Sequence, residues 1–199
     1  MAERLTSFDQ IKPPIQFAYF DLGGVVLSFH NGIKDMAQKL NQPEPVVREY
    51  WLSRDDELCR GELAPQQFWI DLVSHFGTGD ENMDFLTFWS SHFDSISETR
   101  QAMEDIRKRG VGLGILTNIY SGIFYFAVTS GVVPPYDYLA IVKSCEIGIV
   151  KPDPKIFEHA EHVARVKPKE IVFIDDRAEN TDIAHHLGWN TLTYSSSRN

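Results

Sequence analysis

The sequence predicts an α/β fold: a Rossmann-like, doubly wound parallel sheet with a small all-helical cap subdomain. Short apolar runs alternate with helical patterns along most of the chain, which is the order of elements in such sheets. The runs are continuous and do not alternate with polar residues, as expected for strands covered on both faces. One long interval, residues 30–94, contains helical patterns and no convincing strand.

Five apolar runs are the predicted strands, at residues 15–22, 111–117, 138–142, 171–175 and 190–194. They are short and rich in β-branched, aromatic or small apolar side chains, which is typical of buried strands. The first run ends at Gly23 and Gly24, so a tight turn is expected directly after it.

Helices are predicted between these strands, at residues 95–109, 120–130, 154–165 and 178–187. Ser95 and Glu98 have the spacing of a capping box at the start of the first of them. Pro154 suits the first turn of its helix, where a missing N–H group costs nothing. Gly110 and Gly188 are expected to end the helices that precede them.

The interval 30–94 is predicted to form helices near residues 31–41, 44–59, 65–76 and 82–93. Its expected packing residues are aromatic: Trp51, Phe68, Trp69, Phe76, Phe85, Phe88, Trp89 and Phe93. A helical insert directly after the first strand predicts a lid, and the alternative is a fixed extra layer of helices. The predicted boundaries are 15–29 and 95–199 for the α/β core and 30–94 for the helical cap.

Composition limits the classes of function. Forty-three per cent apolar residues in 199 predict one globular domain with a real core. The net charge of −9 argues against a nucleic-acid partner. Only two cysteines and no apolar run near the roughly 18 residues of a membrane span predict a cytoplasmic protein without a membrane partner. The oligomeric state is not predicted.

Polar residues stand at the ends of three predicted strands and in one loop. Asp21, Thr117 and the pair Asp175-Asp176 follow strands, and Lys151 precedes a helix. Ligands bind at the carboxyl ends of strands in open α/β sheets, so these side chains are expected to converge. A carboxylate can attack phosphorus, paired carboxylates suit Mg²⁺, and an ammonium or hydroxyl group can hold a phosphoryl oxygen.

Taken singly, each of these residues also has a structural explanation. A strand followed by an aspartate and a turn occurs without function, and the Asp175-Asp176 pair could stand in a solvated turn. A lone lysine is usually a surface residue. The functional interpretation depends on all four stretches occurring together and in this order.

The four stretches resemble the motifs of the haloacid dehalogenase superfamily of phosphohydrolases, over residues 15–194. They read Asp21-Leu-Gly23-Gly24, Thr117-Asn118, Lys151-Pro-Asp-Pro-x-Ile-Phe157 and Asp175-Asp176-x-x-x-Asn180. The lysine stretch is the most specific. The position of the insert resembles the subfamily that has a helical cap after the first motif. The Arg60-Gly61-Glu62 turn and the Asp-Leu-Gly start resemble the group with bacterial sugar-1-phosphate phosphatases.

The resemblance implies a nucleophile and a magnesium site. Asp21 would attack phosphorus and, with the backbone carbonyl of Gly23 and with Asp176, would bind Mg²⁺. Asp175 would lie beside these ligands and accept a hydrogen bond from Lys151 or from a metal-bound water.

It also implies a site for the phosphoryl group of a small phosphorylated metabolite. Thr117, the backbone of Asn118 and Lys151 would hold the phosphoryl oxygens. Charge spreads over those oxygens in the transition state, so positioning and electrostatics would dominate catalysis. Lys151 is therefore counted with Asp21 as a catalytic residue.

The chain departs from the family pattern at Gly23, where an aspartate usually protonates the leaving group and then activates water. Three outcomes are open: a slow phosphatase, a phosphatase whose leaving group needs little protonation, such as an anomeric sugar phosphate, or a non-catalytic binder of phosphorylated ligands. The sugar-phosphatase group also has glycine here. A metal-independent 2-haloacid dehalogenase is less favoured, because the Asp175-Asp176 pair indicates a metal site.

Overall fold

The computed structural model describes residues 2–195; the end of the predicted core, residues 196–199, lies outside them. The strands are β1 Arg4–Leu5, β2 Phe17–Phe20, β3 Leu27–Phe29, β4 Phe93–Ser95, β5 Gly112–Thr117, β6 Ala140–Lys143, β7 Ile171–Asp175 and β8 Asn190–Thr193. The helices are α1 Gly32–Lys39, α2 Glu44–Arg60, α3 Pro65–Phe76, α4 Phe85–Ser90, α5 Ser97–Lys108, α6 Ile123–Thr129, α7 Ser144–Ile147, α8 Pro154–Ala164 and α9 Ala178–His186.

Six strands form one sheet in the order β1-β8-β7-β2-β5-β6, and every neighbouring pair is parallel. Successive residues of the central strand β2 enter different cores: Ala18 and Phe20 join one hydrophobic cluster, and Phe17 and Tyr19 join the other. Both faces of the sheet are therefore covered, because the α5 and α6 side chains belong to the first cluster and those of α8 and α9 to the second. The predicted doubly wound α/β fold is confirmed.

The register of the sheet aligns the ends of its central strands. Phe20, the last residue of β2, pairs with Ile115 on one side and with Ile174 on the other. The residues that follow these three positions therefore emerge at the same edge of the sheet.

Strands β1, β3 and β4 and the first helix after β6 were not predicted. β1 is two residues long, and Leu5 is its only apolar side chain, so the sequence carries almost no periodic signal there. The four-residue helix α7 is too short for the pattern of a helix to be visible. It nevertheless contacts α2, as described below.

Helices α1 to α4, residues 32–90, form what we call the helical segment. The connections that join it to the sheet pair as the antiparallel strands β3 and β4, with Leu27 opposite Ser95 and Phe29 opposite Phe93. The predicted capping role of Ser95 is wrong, because this residue ends β4 and helix α5 starts after Ile96, without a side-chain cap. Ser95 and Glu98 have the spacing of a capping box, but Ser95 pairs with Leu27 in the neighbouring strand instead.

Two predicted helices are shorter in the structure. The stretch 82–93 is helical only over Phe85–Ser90, where Asp84 caps the first turn by accepting the N–H of Thr87 at 3.1 Å. The stretch 120–130 is helical from Ile123 on, after Gly122, whose φ is +87°.

The carboxyl end of α2 contacts the loop and short helix after β6. Ser144 Oγ donates to the carbonyl of Cys59 at 2.5 Å, and Arg60 Nη1 donates to the carbonyl of Gly148 at 3.0 Å. A Cβ atom on Gly61 would lie 2.2 Å from the carbonyl oxygen of Cys145. Only glycine therefore permits this close approach between the helical segment and the core. Among residues 2–195, no helix has the length and apolar character needed to cross a membrane.

Candidate active site

The predicted polar residues emerge together at the carboxyl edge of the central strands. Asp21 follows β2, and its N–H group donates to the carbonyl of Ile174 at 2.9 Å, which fixes its backbone to β7. Thr117 and Asp175 are the last residues of β5 and β7. All three side chains are buried, with Asp21 exposed by 8%.

Lys151 joins two of these positions by ion pairs in the interior. Its Nζ lies 3.0 Å from Asp21 Oδ1 and 2.6 Å from Asp175 Oδ2. The lysine is 4% exposed, so its charge depends on these carboxylates more than on water. The structure thus brings Lys151 to the site, although it lies in a loop and not at a strand end.

The side chain of Asn118 holds the backbone of Lys151 in place. Its Nδ2 donates to the Lys151 carbonyl at 2.9 Å, and its Oδ1 accepts the Lys151 N–H at 2.8 Å. The family resemblance implies a role for the backbone of Asn118 alone, and the structure adds this role of its side chain. Two reciprocal hydrogen bonds across 33 residues of sequence leave no local signal from which they could be found.

Asp175 is enclosed by donors and is fully buried. Its carboxylate accepts hydrogen bonds from the ammonium of Lys151, from the backbone N–H of Arg177 at 2.8 Å and from Asn180 Nδ2, which lies 3.0 Å from both oxygens. Asn180 appeared in the sequence motif without a role, and the structure shows that it orients Asp175. Its own Oδ1 is buried beside the cavity and has no hydrogen-bond partner among the described residues.

Burial and charge shift the pKa values of this cluster. Burial raises the pKa of Asp21 to about 6, against the opposing effect of the Lys151 ammonium. Burial alone would lower the pKa of Lys151, but Asp21 and Asp175 outweigh it and raise that pKa above its ordinary value. Lys151 therefore stays charged at neutral pH and compensates the buried carboxylates.

Three carboxylates can converge on one ion. Oxygen atoms of Asp21, Asp175 and Asp176 all lie within 4.8 Å of one another. Desolvation and the neighbouring Asp175 raise the pKa of Asp176, against the smaller opposing effects of Lys151 and Arg177. Clustered carboxylate oxygens are the ligands that Mg²⁺ prefers.

The backbone of Gly24 makes room for Asp176. A Cβ atom on Gly24 would lie 2.2 Å from Asp176 Oδ2, and its φ of +73° also favours glycine. Gly23 differs, because a Cβ there would meet nothing within 4 Å and its φ is not positive. Space does not exclude a side chain at position 23. The donor set, the room at Gly24 and the unpaired Oδ1 of Asn180 together fit a hydrated magnesium ion.

A cavity of about 330 Å³ opens onto this edge. Its sheet end is lined by Asp21, Gly23, Thr117, Asn118, Lys151 and Asp176. The rest of its lining, which we call the aromatic end, consists mainly of large apolar side chains, which are Leu27, Phe29, Trp51, Trp89, Phe93 and Ile123. Trp51, Trp89 and Phe93 were predicted as packing residues of the insert, and the structure shows that they also face the cavity.

Three residues that line the aromatic end are joined by hydrogen bonds. Trp51 Nε1 donates to Tyr120 Oη at 2.8 Å, and Tyr120 Oη donates to Asp55 Oδ1 in a short hydrogen bond. Burial raises the pKa of Asp55 and also raises that of Tyr120. Sequence analysis missed Tyr120 and Asp55, because 65 residues separate them and neither stands in a motif. The predicted Arg60-Gly61-Glu62 turn does not line this cavity.

Comparison with known proteins identifies the family. Residues 16–188 match the model of a hydrolase family described as haloacid dehalogenase-like hydrolase. The chain is 35% identical over 184 residues to bifunctional epoxide hydrolase 2 of Rattus norvegicus, covering 87% of this chain and 30% of that protein. It is 25% identical to sesquiterpene phosphatase astK of Aspergillus oryzae, over 86% of this chain and 85% of that protein. The chain spans only 8% to 30% of the length of its first matching relatives.

A solved structure shows the same fold. It is a HAD family enzyme, bt-2542 of Bacteroides thetaiotaomicron, in complex with magnesium and inorganic phosphate. The TM-score is 0.78 at 21% identity, and the match covers 93% of this chain and 96% of that one. The resemblance found in the sequence is confirmed at the level of the superfamily, whereas the sugar-phosphatase group stays a prediction. With its fold and most of its length matched, the chain belongs to the haloacid dehalogenase-like hydrolase family.

Proposed function

We propose that this protein hydrolyses small phosphate monoesters through a covalent phosphate on Asp21. One observation carries the proposal: a buried aspartate and a buried lysine meet a cluster of carboxylates at one end of a cavity. A phosphatase named among the relatives supports the same reaction type.

The reaction would proceed in two displacements at phosphorus. A carboxylate oxygen of Asp21 forms a bond to phosphorus while the ester P–O bond breaks, and the released alkoxide takes a proton to become an alcohol. Water then attacks the aspartyl phosphate, which releases inorganic phosphate and regenerates the carboxylate. Splitting a hard hydrolysis into two easier steps is the advantage of covalent catalysis.

Lys151, Thr117 and Asn118 are the proposed phosphate-binding groups. The ammonium of Lys151 already lies 3.0 Å from Asp21, so it can approach a phosphoryl oxygen attached there. The hydroxyl of Thr117 and the backbone of Asn118 line the same end of the cavity. Fixed donors of this kind stabilise the charge that develops on the phosphoryl oxygens.

Asp21, the carbonyl of Gly23 and Asp176 are the groups proposed to hold Mg²⁺, with Asp175 behind them. When bound, the ion would neutralise charge on the carboxylates and on the phosphoryl group. Asp175 would keep Lys151 oriented and charged. This arrangement is supported by the three converging carboxylates and by the crystal structure of the magnesium-bound relative.

Because residue 23 is glycine, no carboxyl group at this position can donate a proton to the leaving group. A leaving group that needs little protonation, such as an anomeric sugar phosphate, would avoid the difficulty. The same glycine favours a second candidate function, a protein that binds phosphorylated ligands without turnover. In either case we propose that residues 30–94 form a cap over the site and that the core comprises residues 15–29 and 95–199.

The test is phosphatase activity on a panel of phosphate monoesters with Mg²⁺, comparing wild type with Asp21→Asn. We expect Asp21→Asn to lower kcat by roughly 10³-fold or more, since the nucleophile is removed. Asp137→Asn, a change of the same kind at an exposed position, should keep wild-type activity.

Equal activity in Asp21→Asn and wild type would overturn the nucleophile assignment. Ligand binding without turnover in the wild type would favour the binder. Halide release from a 2-haloacid in the presence of EDTA would favour a dehalogenase.

A further inference from the structure

We infer that the alcohol released from the phosphate ester is apolar, an aliphatic or aromatic group and not a polyol. The inference rests on the proposed phosphatase function and concerns the part of the cavity away from Asp21. Two independent features carry it: the side chains that line that part, and the hydrogen bonds that its few polar groups already make.

At the aromatic end of the cavity, most of the lining consists of aromatic rings. Phe29, Trp51, Trp89 and Phe93 all face the cavity, with Leu27 and Ile123 beside them. The rings also contact one another; the centroids of Phe29 and Trp89 are 4.3 Å apart, and those of Phe29 and Phe93 are 5.7 Å apart. Such a wall favours a ligand that buries apolar surface.

Trp51, Tyr120 and one oxygen of Asp55 are joined by hydrogen bonds in this wall. The indole N–H of Trp51 donates to Tyr120, whose hydroxyl donates in turn to Asp55. At the mouth of the cavity, Arg177 pairs with Glu179. A hydroxyl group of a bound sugar would lose water here and would compete with bonds that already exist, which disfavours a polyol.

The cavity has room for a small group of this kind. A cavity of about 330 Å³ holds a phosphoryl group and roughly six to eight further non-hydrogen atoms, taking about 30 Å³ for each water-sized group. Each methylene that moves from water into apolar surroundings favours binding by about fourfold. An alcohol of about seven carbons therefore fits both the space and the chemistry of the wall.

A matched pair of substrates separates this inference from its rival. In both cyclohexylmethyl phosphate and glucose 6-phosphate, the phosphate is esterified to a CH2 group attached to a six-membered ring. Only glucose 6-phosphate carries hydroxyl groups. With Mg²⁺ present, we expect kcat/KM to be about 30-fold or more higher for the cyclohexylmethyl ester. Equal or better turnover of glucose 6-phosphate would overturn the inference and leave the phosphatase function standing.

Acetyl phosphate and two unreactive phosphonates keep the two hypotheses apart. Acetyl phosphate needs no protonation of its leaving group, so it reports the phosphatase function alone. Calorimetry should show cyclohexylmethylphosphonate binding at least about tenfold more tightly than methylphosphonate. Tight binding without hydrolysis of any substrate would contradict the phosphatase and support the apolar site. Equal binding of the two phosphonates would overturn the apolar site.

Two phenylalanines of similar burial provide the matched variants. Phe93 lines the cavity, whereas Phe88 packs within the helical segment and does not line it. Phe93→Ala should lower the preference for cyclohexylmethyl phosphate over glucose 6-phosphate by about fivefold or more, and Phe88→Ala should leave it unchanged. This ratio does not depend on the fraction of folded protein. An equal change in both variants, or none in either, would overturn the assignment of this wall.

Discussion

The two ends of the cavity use polar side chains in opposite ways. At the sheet end, Lys151 lies between Asp21 and Asp175, and the cluster has more carboxylates than cations. At the aromatic end, Asp55 and Tyr120 share one short hydrogen bond in a wall that is otherwise apolar. One end thus holds buried charges that a ligand can neutralise, and the other holds a hydrogen-bonded tyrosine and aspartate within an apolar wall.

This difference assigns separate tasks to the two ends. The excess of carboxylates at the sheet end favours binding of a cation. The buried ammonium of Lys151 beside Asp21 favours binding of an anionic group. The aromatic end offers apolar area and shape, with Asp55 as its one carboxylate among the described residues. Chemistry would therefore depend on the sheet, and the choice of substrate on the side chains opposite it. Variants at each end should separate these tasks.

The largest effect is expected at Lys151. Lys151→Met removes the only cation that, among residues 2–195, contacts both Asp21 and Asp175, so it should lower the free energy of unfolding by about 3–5 kcal/mol and kcat by roughly 10³-fold. Mg²⁺ should restore part of the stability, because the ion can replace the lost positive charge. Thermal unfolding with and without Mg²⁺ measures both effects.

Lys143→Met is the matched control, since Lys143 ends the neighbouring strand β6 and pairs with Glu146 at 2.6 Å. The Lys143 side chain is 23% exposed, and a partly exposed pair contributes no more than about 1 kcal/mol. Equal destabilisation by the two substitutions would show that the sheet end is not specially charged.

A smaller gain is expected at position 23. Gly23→Asp places a carboxyl group where a Cβ atom meets nothing within 4 Å. It should raise kcat about 10²-fold for alkyl phosphates, whose leaving groups need a proton, and should leave acetyl phosphate hydrolysis nearly unchanged. Gly23→Asn adds a side chain of the same size without an acid. Steady-state kinetics in which Asp and Asn variants behave alike would show that proton donation does not limit the rate.

The smallest effect is expected at the aromatic end. Tyr120→Phe leaves Trp51 Nε1 and Asp55 without their hydroxyl partner and should cost about 2 kcal/mol of stability near pH 8. Burial holds the pKa of Asp55 above its ordinary value of 3.8 in the folded protein. The folded protein therefore binds a proton on Asp55 more tightly than the unfolded chain does. The stability that this protonation contributes is lost as the pH rises above 3.8 and through the higher pKa of the folded state.

Protonation of Asp55 removes the uncompensated charge in the Tyr120→Phe variant, so its penalty should be smaller at pH 5 than at pH 8. Urea unfolding at both pH values measures the difference. Tyr125→Phe is the control, because Tyr125 is 69% exposed. A penalty that does not change with pH would mean that Asp55 keeps one protonation state throughout this range, which contradicts the prediction.

The sheet end was largely predictable from the sequence, and the aromatic end was not. The strand at residues 171–175 was predicted with its observed bounds, because a continuous apolar run followed by acidic residues is a strong local signal. The grouping of Asp21, Thr117 and Asp175 then follows from the rule that parallel strands end at the same edge. Lys151 was found through its motif.

Pairings between distant residues were out of reach. Trp51 and Tyr120 are separated by 69 residues, and nothing in either local pattern indicates a hydrogen bond between them. The pairing of β3 with β4 also joins distant segments, which is why Ser95 was mistaken for a helix cap. Aromatic side chains in the insert indicated packing, but their direction into the cavity depends on how α2 and α4 are placed.

One hydrophobic cluster runs without interruption from the sheet into the helical segment. It contains Phe20 and Ile115 from the sheet together with Phe68 and Trp89 from the helices. Neither part could keep its core dry after the other had melted, so the two are expected to unfold as one cooperative unit. A helix that we propose helps to select the substrate therefore also contributes to the folding equilibrium of the whole chain, and substitutions that change specificity are expected to change the amount of native protein as well.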